Sequence, residues 1–307
     1  MMKKITRLFN NLTDRQVLYL LVVIVVISSV WSAILNLTSP QPDFQAWGEG
    51  WLQNFSTEMM GAISTYFLFT LIIGKREEKE RLFIQLRSKD SATASNALNE
   101  LQIKVWLYDG SLQGADLEGV TLPAASLRHA NLAGSSLKYA NLENADLMSA
   151  NLSGANLWNA GLAGANLEDA LLTSAWLHNA LLQEASLRKA VLFKADLTQA
   201  NLTNADLRFA NLNSAFLQKA NLEGTALQHT NLVSANMRQA ILKGADLYYA
   251  DLRDTLLEEA KFDERTTLPD GTQWEPDTDM TRFTNPYHLN FWQCPTSRNP
   301  VDISGLI

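Results

Sequence analysis

The sequence predicts an all-β solenoid of stacked coils, joined to an α-helical N-terminal segment that crosses a membrane. Three observations carry this prediction. A leucine stands at every fifth residue from Leu112 to Leu257, with Met237 as the one exception, and Phe262 follows at the same spacing. A small residue, usually alanine, lies two positions before most of these leucines. Two apolar runs, within residues 17–37 and 57–74, precede the repeats.

Residues 17–37 form the first predicted membrane span, because a mostly apolar stretch of this length can cross a bilayer as a helix. The second run is shorter and reaches spanning length when the span begins at residue 57. Interfacial aromatic and basic residues are expected at the ends of such spans. We therefore predict membrane-interface positions for Trp47, Trp51, Lys75 and Arg76.

Basic residues flank the two spans and predict their orientation. Residues 1–16 and residues 75–81 each contain four Lys or Arg residues, whereas residues 38–56 contain none. The positive-inside rule then places both termini in the cytoplasm, with residues 38–56 as a short external loop. The predicted location is the inner membrane, as a two-pass protein. A cleaved signal peptide is the alternative interpretation of the first run.

Residues 75–110 are predicted to form an amphipathic helical stalk, because their apolar residues recur at three- and four-residue steps. A break near Asp90 and Ser91 divides the stalk into two pieces. We expect its end to cover the first coil, since an open solenoid end exposes apolar interior. The predicted N-terminal cap consists of Leu101, Val105 and Trp106.

The five-residue period over residues 111–263 excludes a helix and a straight strand. Every fifth residue of an α-helix advances by about 140°, and an odd period along a strand sends side chains to alternate faces. All the leucines point inward only if the chain bends once per repeat. Such coils must stack to bury their leucines and to pair their backbone groups. Asn and Asp, frequent just before the leucine, tolerate turns and hydrogen-bond nearby backbone.

Residues 195–199 (ADLTQ) and 200–204 (ANLTN) show the motif A-(D/N)-L-x-x, which extends from about Leu112 to Phe262. In this motif the chain resembles the pentapeptide-repeat family. The resemblance implies a right-handed, four-sided (quadrilateral) parallel β-helix with four pentapeptides per coil. Residues 264–307 lose the period and contain five prolines and several aromatic residues. They are predicted to form an irregular C-terminal cap or tail.

No sequence motif points to catalysis. The single cysteine excludes an internal disulfide, and the four histidines are scattered along the chain. Motifs for metal binding, phosphate binding and nucleophilic catalysis do not occur in the sequence. We therefore expect a protein that is not an enzyme and that has no cofactor, metal or small-molecule substrate.

Apolar residues at positions that should face water predict a contact patch in the middle of the solenoid. Exposed apolar clusters often mark contact surfaces. One alternative is that scattered aromatic side chains lie flat over the surface, and another is that the stalk or tail covers the patch. The predicted patch consists of Trp158, Trp176 and Phe216 on one face and Leu171, Val191 and Phe193 on an adjacent face.

These features predict a membrane-anchored scaffold that binds a protein partner or a second copy of itself at the cytoplasmic face. The first alternative is a membrane sensor or channel-like oligomer, although neither span has an internal ionisable residue. The second alternative, suggested by the family resemblance, is a DNA mimic that protects topoisomerases. Residues 112–262 carry 15 acidic and 11 basic residues, a net charge of −4, which is mild for a DNA mimic. We therefore expect the lipid bilayer and a protein as partners, and no nucleic acid.

Overall fold

The computed structural model describes residues 61, 74–88 and 90–293 of the chain. The chain divides into two compact units, Met1–Phe83 and Ile84–Ile307. Residues 74–86 are helical, and this helix contains Lys75 and Arg76, which the sequence predicts at the membrane interface.

The predicted membrane hairpin falls almost wholly on the remaining residues. The N-terminal residues 1–16, the span 17–37, the loop 38–56 with Trp47 and Trp51, and the span 57–74 apart from residues 61 and 74 lie outside the described residues. Within the described part of the chain, no helix combines the length and the apolar composition needed to cross a bilayer.

Helix α1, Ser91–Ile103, begins where the sequence predicts a break in the stalk. The carboxylate of Asp90 accepts hydrogen bonds from the backbone N–H groups of Ala92 and Thr93, which otherwise lack partners in a first helical turn. The hydroxyl of Thr93 also donates to Asp90 and, with these backbone N–H groups, lowers the pKa of the Asp90 carboxyl group. Asp90 therefore fixes the start of the helix.

Helix α1 ends in a reversal that leads the chain into the solenoid. The N–H of Trp106 donates to the carbonyl of Leu101 at 2.9 Å, as in a Schellman motif. Leu101, Trp106 and Leu107 are buried, and the carbonyl of Leu107 accepts the N–H of Asn131 at 2.8 Å. The end of the helix is therefore tied to the first coils by buried side chains and by a backbone hydrogen bond.

Val105 corrects the sequence prediction for this cap. It is 51% exposed and so does not plug the coil, because it occupies the left-handed corner of the reversal with φ 64°. This conformation is unfavourable for a β-branched residue and favours glycine.

We expect Val105→Gly to raise the free energy of unfolding by about 1 kcal/mol. Left-handed backbone costs a residue with a Cβ about 1–2 kcal/mol, and glycine avoids this cost. Urea unfolding followed by circular dichroism measures the change. Val120→Gly is the matched control, because Val120 is fully buried and is absent from the residues with positive φ; it should destabilise. A less stable Val105→Gly protein would contradict the prediction.

The solenoid winds in coils of 20 residues. From Asp116 to Ile241, each residue that precedes a central residue forms a parallel bridge with the residue 20 positions later, as Leu171 does with Val191. Because these bridges recur every five residues, each coil has four sides, and each side is a single bridging residue and not an extended strand. The β-helix with four pentapeptides per coil is thus confirmed, and its right-handed sense stays a prediction.

The five positions of a repeat keep the same roles along the solenoid. We call them small, preceding, central, following and corner, as in Ala170, Leu171, Leu172, Thr173 and Ser174. The four faces are numbered by the central residues of one coil, so that faces 1 to 4 contain Leu172, Leu177, Leu182 and Leu187.

The central and small side chains fill the interior. The central residues from Leu112 to Leu252 are at most 3% exposed, and the alanines at the small position are buried with them wherever the coil is covered on both sides. Where threonine replaces alanine, its hydroxyl finds a carbonyl: Thr225 Oγ1 donates to the carbonyl of Leu202 at 2.9 Å. The buried hydroxyls are therefore paired, as buried polar groups require.

The corner position turns the chain from one face to the next. Corner residues have positive φ, such as 56° at Tyr139 and 65° at Gly154. The N–H of the next small residue closes each turn, as Ala140 does by donating to the carbonyl of Leu137 at 3.1 Å. Positive φ at the third residue is the requirement of a type II turn.

Backbone acceptors use four of the five N–H groups in a repeat. In the repeat of Leu142, the small, preceding, central and corner N–H groups donate to carbonyls at 2.7–3.1 Å. The fifth N–H, from the following residue Glu143, donates to Oδ1 of Asn141 at 3.0 Å. Asn and Asp therefore recur at the preceding position because they pair the one N–H that the coils leave over.

Proline at the following position agrees with this account. Pro123 and Pro269 occupy it, each two residues after a threonine that supplies no amide or carboxylate oxygen. Proline has no N–H, so these repeats need no acceptor there.

The register slips by one residue after Phe262, because Asp246 pairs with Thr267, 21 positions later. Thr266 and Leu268 are buried and take the small and central roles of one more repeat. The β-helix thus continues past residue 263, the predicted boundary, to about Pro269.

An irregular cap follows the last repeat. Helix α2, Thr281–Thr284, buries Phe283, and the carbonyl of Thr284 accepts the N–H of Asp254 at 2.7 Å. A column of stacked rings on face 4 reaches the same cap: the centroids lie 4.8 Å apart for Phe209 and His229, 5.2 Å for His229 and Tyr249, and 6.3 Å for Tyr249 and Trp292. Residues 294–307 lie outside the described residues.

Candidate protein-contact surface

Five consecutive repeats lack Asn and Asp at the preceding position. They lie between Asn166 and Asp196, and we call residues 171–193 the uncapped coil. The N–H groups of their following residues have no acceptor within the described part of the chain. The preceding residues are Leu171, Trp176, Leu181, Ser186 and Val191, and the following residues are Thr173, His178, Gln183, Arg188 and Phe193.

Side-chain polar atoms in the uncapped coil also lack hydrogen-bond partners. Across residues 74–88 and 90–293, four buried side-chain atoms are unpaired, and two of them are Gln183 Oε1 and Arg188 Nε. Unpaired polar groups are uncommon in protein interiors, and each asks for an explanation. The uncapped coil is therefore the part of the solenoid where hydrogen-bonding capacity is least used.

The predicted contact patch lies on faces 1 and 2 of this region. On face 2, Trp176 is 61%, Phe216 46% and Trp158 38% exposed. On face 1, Leu171 and Val191 bridge each other directly and are half-buried, like Phe193. Three large aromatic side chains are thus accessible to a partner.

The structure divides this patch into two groups instead of one continuous band. Asp196 lies between Trp176 and Phe216 in the same column, because it bridges both of them. Trp158 and Trp176 occupy neighbouring coils of face 2 beside the half-buried residues of face 1, whereas Phe216 is separated from them by a carboxylate. The contact role of the six residues stays a prediction.

Sequence reasoning missed three neighbours of the patch. Leu181, 46% exposed on face 3, occupies the same preceding position as Leu171 and Trp176, so its signal was present in the sequence. Tyr139 is 51% exposed with its ring centroid 6.2 Å from that of Trp158, and Lys138 Nζ lies 4.7 Å from the Trp158 ring. These two residues precede Trp158 by about one coil, so only the coil length reveals the contact.

Faces 1 and 2 are locally basic in a chain of net charge −7. Between residues 131 and 239, Asp196 is the one acidic residue on their outward positions. Face 3 carries only acidic charge over the same coils, from Glu143, Glu184 and Glu223. The basic residues on faces 1 and 2 are Lys138, Lys194, Lys219 and Arg238.

The resolved pKa shifts lie outside the contact patch. Burial alone would raise the pKa of Asp206 on face 4, but hydrogen bonds from the Arg208 side chain and backbone outweigh it, and the pKa is lowered. The side-chain hydrogen bond from Arg238 lowers the pKa of Glu258. These two pKa shifts, at Asp206 and Glu258, reflect surface ion pairs.

Over the described residues, no group of three or more His, Cys, Asp or Glu side chains is placed to hold a metal ion.

Comparison with known proteins yields matches to the repeats. The family model described as pentapeptide repeats matches in 8 copies over residues 111–148, 150–188, 190–227 and 220–258. No curated protein is significantly similar to the chain.

Three solved structures are similar to the repeat region. HetL, a pentapeptide repeat protein involved in heterocyst differentiation regulation from Nostoc sp. strain PCC 7120, shares 28% identity over 53% of this chain and 92% of its own, with a TM-score of 0.20. The pentapeptide repeat protein alr5209 from Nostoc PCC 7120 shares 32% identity over 32% of this chain and 79% of its own, with a TM-score of 0.28. The pentapeptide repeat protein Rfr23 from Cyanothece 51142 shares 23% identity over 55% of this chain and 99% of its own, with a TM-score of 0.25.

Proposed function

The chain belongs to the pentapeptide-repeat family, and from this premise we propose that it is a non-enzymatic scaffold that binds a protein partner. The observation that supports the proposal is that two unusual features occur together in one coil. The uncapped coil combines exposed apolar side chains, led by Trp176, with backbone N–H groups that lack acceptors. A partner that covers this coil gains apolar burial and supplies the missing hydrogen bonds.

The uncapped coil lacks the stabilising hydrogen bonds that Asn or Asp provides in other repeats. The net contribution of one intramolecular hydrogen bond to stability is about 0.5–1.5 kcal/mol. One such bond is missing from each of the five consecutive repeats of the uncapped coil. Departures from the local rules of a fold are expected at functional sites. A coil with a purely structural role would gain from Asn at these positions, and this supports a contact role for faces 1 and 2.

We further propose that residues 17–37 and 57–74 anchor the scaffold in the inner membrane, with the solenoid in the cytoplasm. The apolar length of the two runs and the basic residues that flank them support this location. The scaffold would then hold its partner at the cytoplasmic face of the membrane.

Replacing Trp158 and Trp176 together with serine tests the proposal in the full-length protein. We expect affinity purification and cross-linking from native membranes to lose the partner of the unsubstituted protein, or its self-association. Buried aromatic anchors carry much of the energy of protein interfaces.

Phe209→Ser is the matched control, because Phe209 is 49% exposed but lies on face 4, outside the patch. It should leave the cross-linked species and the oligomeric state unchanged. If the double variant keeps the same partners and the same oligomeric state as the control, the proposed contact function is wrong.

A further inference from the structure

We propose that face 1 of the uncapped coil binds a carboxylate of the partner between the backbone N–H groups of Thr173 and Phe193, with Lys194 beside it. This inference rests on the proposed contact function and names the chemistry of the partner. The occupant is an acidic protein segment whose carboxylate side chains alternate with apolar ones.

The two N–H groups lie side by side. Thr173 and Phe193 are the following residues of successive coils, and the bridge between Leu171 and Val191 sets their register. The N–H of Ser174 donates to the carbonyl of Phe193 at 2.9 Å, which holds the coils together at this point. Neighbouring coils are separated by roughly 4.8 Å. One carboxylate placed between the two coils can therefore accept both N–H groups, one with each oxygen.

Other repeats of the chain show that a carboxylate can pair the N–H of a following residue. On face 2, Oδ1 of Asp196 accepts the N–H of Thr198 at 2.9 Å, and on face 4, Oδ1 of Asp206 accepts the N–H of Arg208 at 3.1 Å. At Thr173 the preceding side chain is a leucine, which has no acceptor atom. A carboxylate from the partner would take the part that aspartate plays in other repeats.

The surroundings favour an anion attached to an apolar segment. Lys194 Nζ lies 5.1 Å from the centroid of the Phe193 ring, and Lys194 directly follows Phe193, whose N–H is one of the two donors. Trp176, which is 61% exposed, offers apolar surface on the adjacent face of the same coil. Hydrogen bonds to charged groups are stronger when apolar surface excludes water. An acidic segment with apolar residues matches both features.

The decisive experiment deletes the donors without altering the fold. Thr173→Pro and Phe193→Pro each remove one N–H, and proline already occupies this position at Pro123 and Pro269. Because Phe193→Pro also removes a ring of the contact patch, Thr173→Pro is the variant that isolates the donor. Leu171→Asn tests the same donor in another way, since the new amide oxygen pairs the Thr173 N–H internally. Lys243→Pro is the control, because it removes an equivalent unpaired N–H outside the uncapped coil.

The probe is a fluorescent peptide of alternating glutamate and leucine, titrated with full-length protein in detergent and followed by anisotropy. A glutamine–leucine peptide and vesicles of anionic lipid form the other two arms. We expect Thr173→Pro, Phe193→Pro and Leu171→Asn each to weaken the glutamate–leucine peptide about tenfold, the loss of one charged hydrogen bond. Lys243→Pro should bind like the unsubstituted protein, and the glutamine peptide should bind more weakly and respond to none of the variants.

Three results would overturn the inference: no binding of the acidic peptide, equal binding by the proline variants and the control, or sensitivity to Thr173→Pro with anionic vesicles alone. Thermal unfolding checks that each variant is folded, and Leu171→Asn decides the matter if a proline variant is not. If the proline variants keep native partners that the double tryptophan variant loses, the carboxylate site is wrong and the contact function stands. If all variants, including the double tryptophan variant, keep the native partners, both the carboxylate site and the contact function are wrong.

Discussion

Leu177→Ala is expected to lower the free energy of unfolding by about 3–5 kcal/mol, the upper part of the range for a leucine cut back to alanine in a close-packed core. Leu177 is completely buried at the centre of the solenoid, between the central leucines of the coils on either side. Its N–H donates to the carbonyl of Asp196 at 2.6 Å, and the carbonyl of Trp176 accepts the N–H of Leu157 at 2.7 Å. The hydrogen-bonded coils cannot close on a cavity, so the cost of the lost side chain stays high.

Leu257→Ala provides the comparison for this prediction. Leu257 holds the same central position on the same face, but it lies in the last coil and is half-buried. We expect it to cost about 1–2 kcal/mol, because less apolar surface is buried there and the end can relax. Urea unfolding of both variants, followed by circular dichroism, measures the difference. Equal losses at the two sites would show that the coils do not form one tightly packed interior.

Asparagine at Leu171, Trp176 and Leu181 together is expected to stabilise the solenoid by about 2–3 kcal/mol and to abolish partner binding. Each new side chain can pair the N–H of its following residue, as Asn141 pairs that of Glu143, at about 0.5–1.5 kcal/mol a bond. Leu181 and Trp176 are 46% and 61% exposed and Leu171 is half-buried, so the apolar burial that is lost offsets part of the gain from three such hydrogen bonds. The same change removes the apolar surface and the free donors that a partner would use.

Ile241→Asn is the control for the triple variant. It installs the same hydrogen bond on face 3, outside the uncapped coil, and should stabilise by about 1 kcal/mol while leaving partner binding intact. Thermal and urea unfolding report stability, and affinity purification from membranes reports binding. A triple variant less stable than the parent would contradict the role assigned to Asn and Asp. If the triple variant is stabilised and still binds the partner, the contact surface lies outside the uncapped coil.

The interior could be predicted from the sequence because the residues that become buried recur at fixed positions in every repeat. A leucine every five residues demands one bend per repeat, and the central residues from Leu112 to Leu252 are buried accordingly. The prediction fails at the ends, where the neighbours are not repeats. Phe262, half-buried, stacks on Trp274 at 5.9 Å instead of lying beneath another coil, and Val105 turns outward at a helix end.

The role of Asn and Asp was only partly visible in the sequence. The sequence predicts that they tolerate turns and hydrogen-bond nearby backbone. The hydrogen bond is confirmed, to the N–H of the following residue, whereas the bend itself lies at the corner residue. That N–H is recognisable as the leftover donor only after every backbone bond in the coil is assigned. The uncapped coil, which contains Thr173 and Phe193, is therefore a finding of the structure.

The residues that point inward follow from the repeat pattern, because the environment of a buried leucine is set within its own repeat. The residues that meet on the outside follow only from the way the coils stack. Tyr139 reaches Trp158, and Thr173 lies beside Phe193, because the coil closes after 20 residues. A period of five permits coils of different lengths, so it specifies the wall of the solenoid and leaves its surface contacts open. The candidate function resides in those contacts between successive coils.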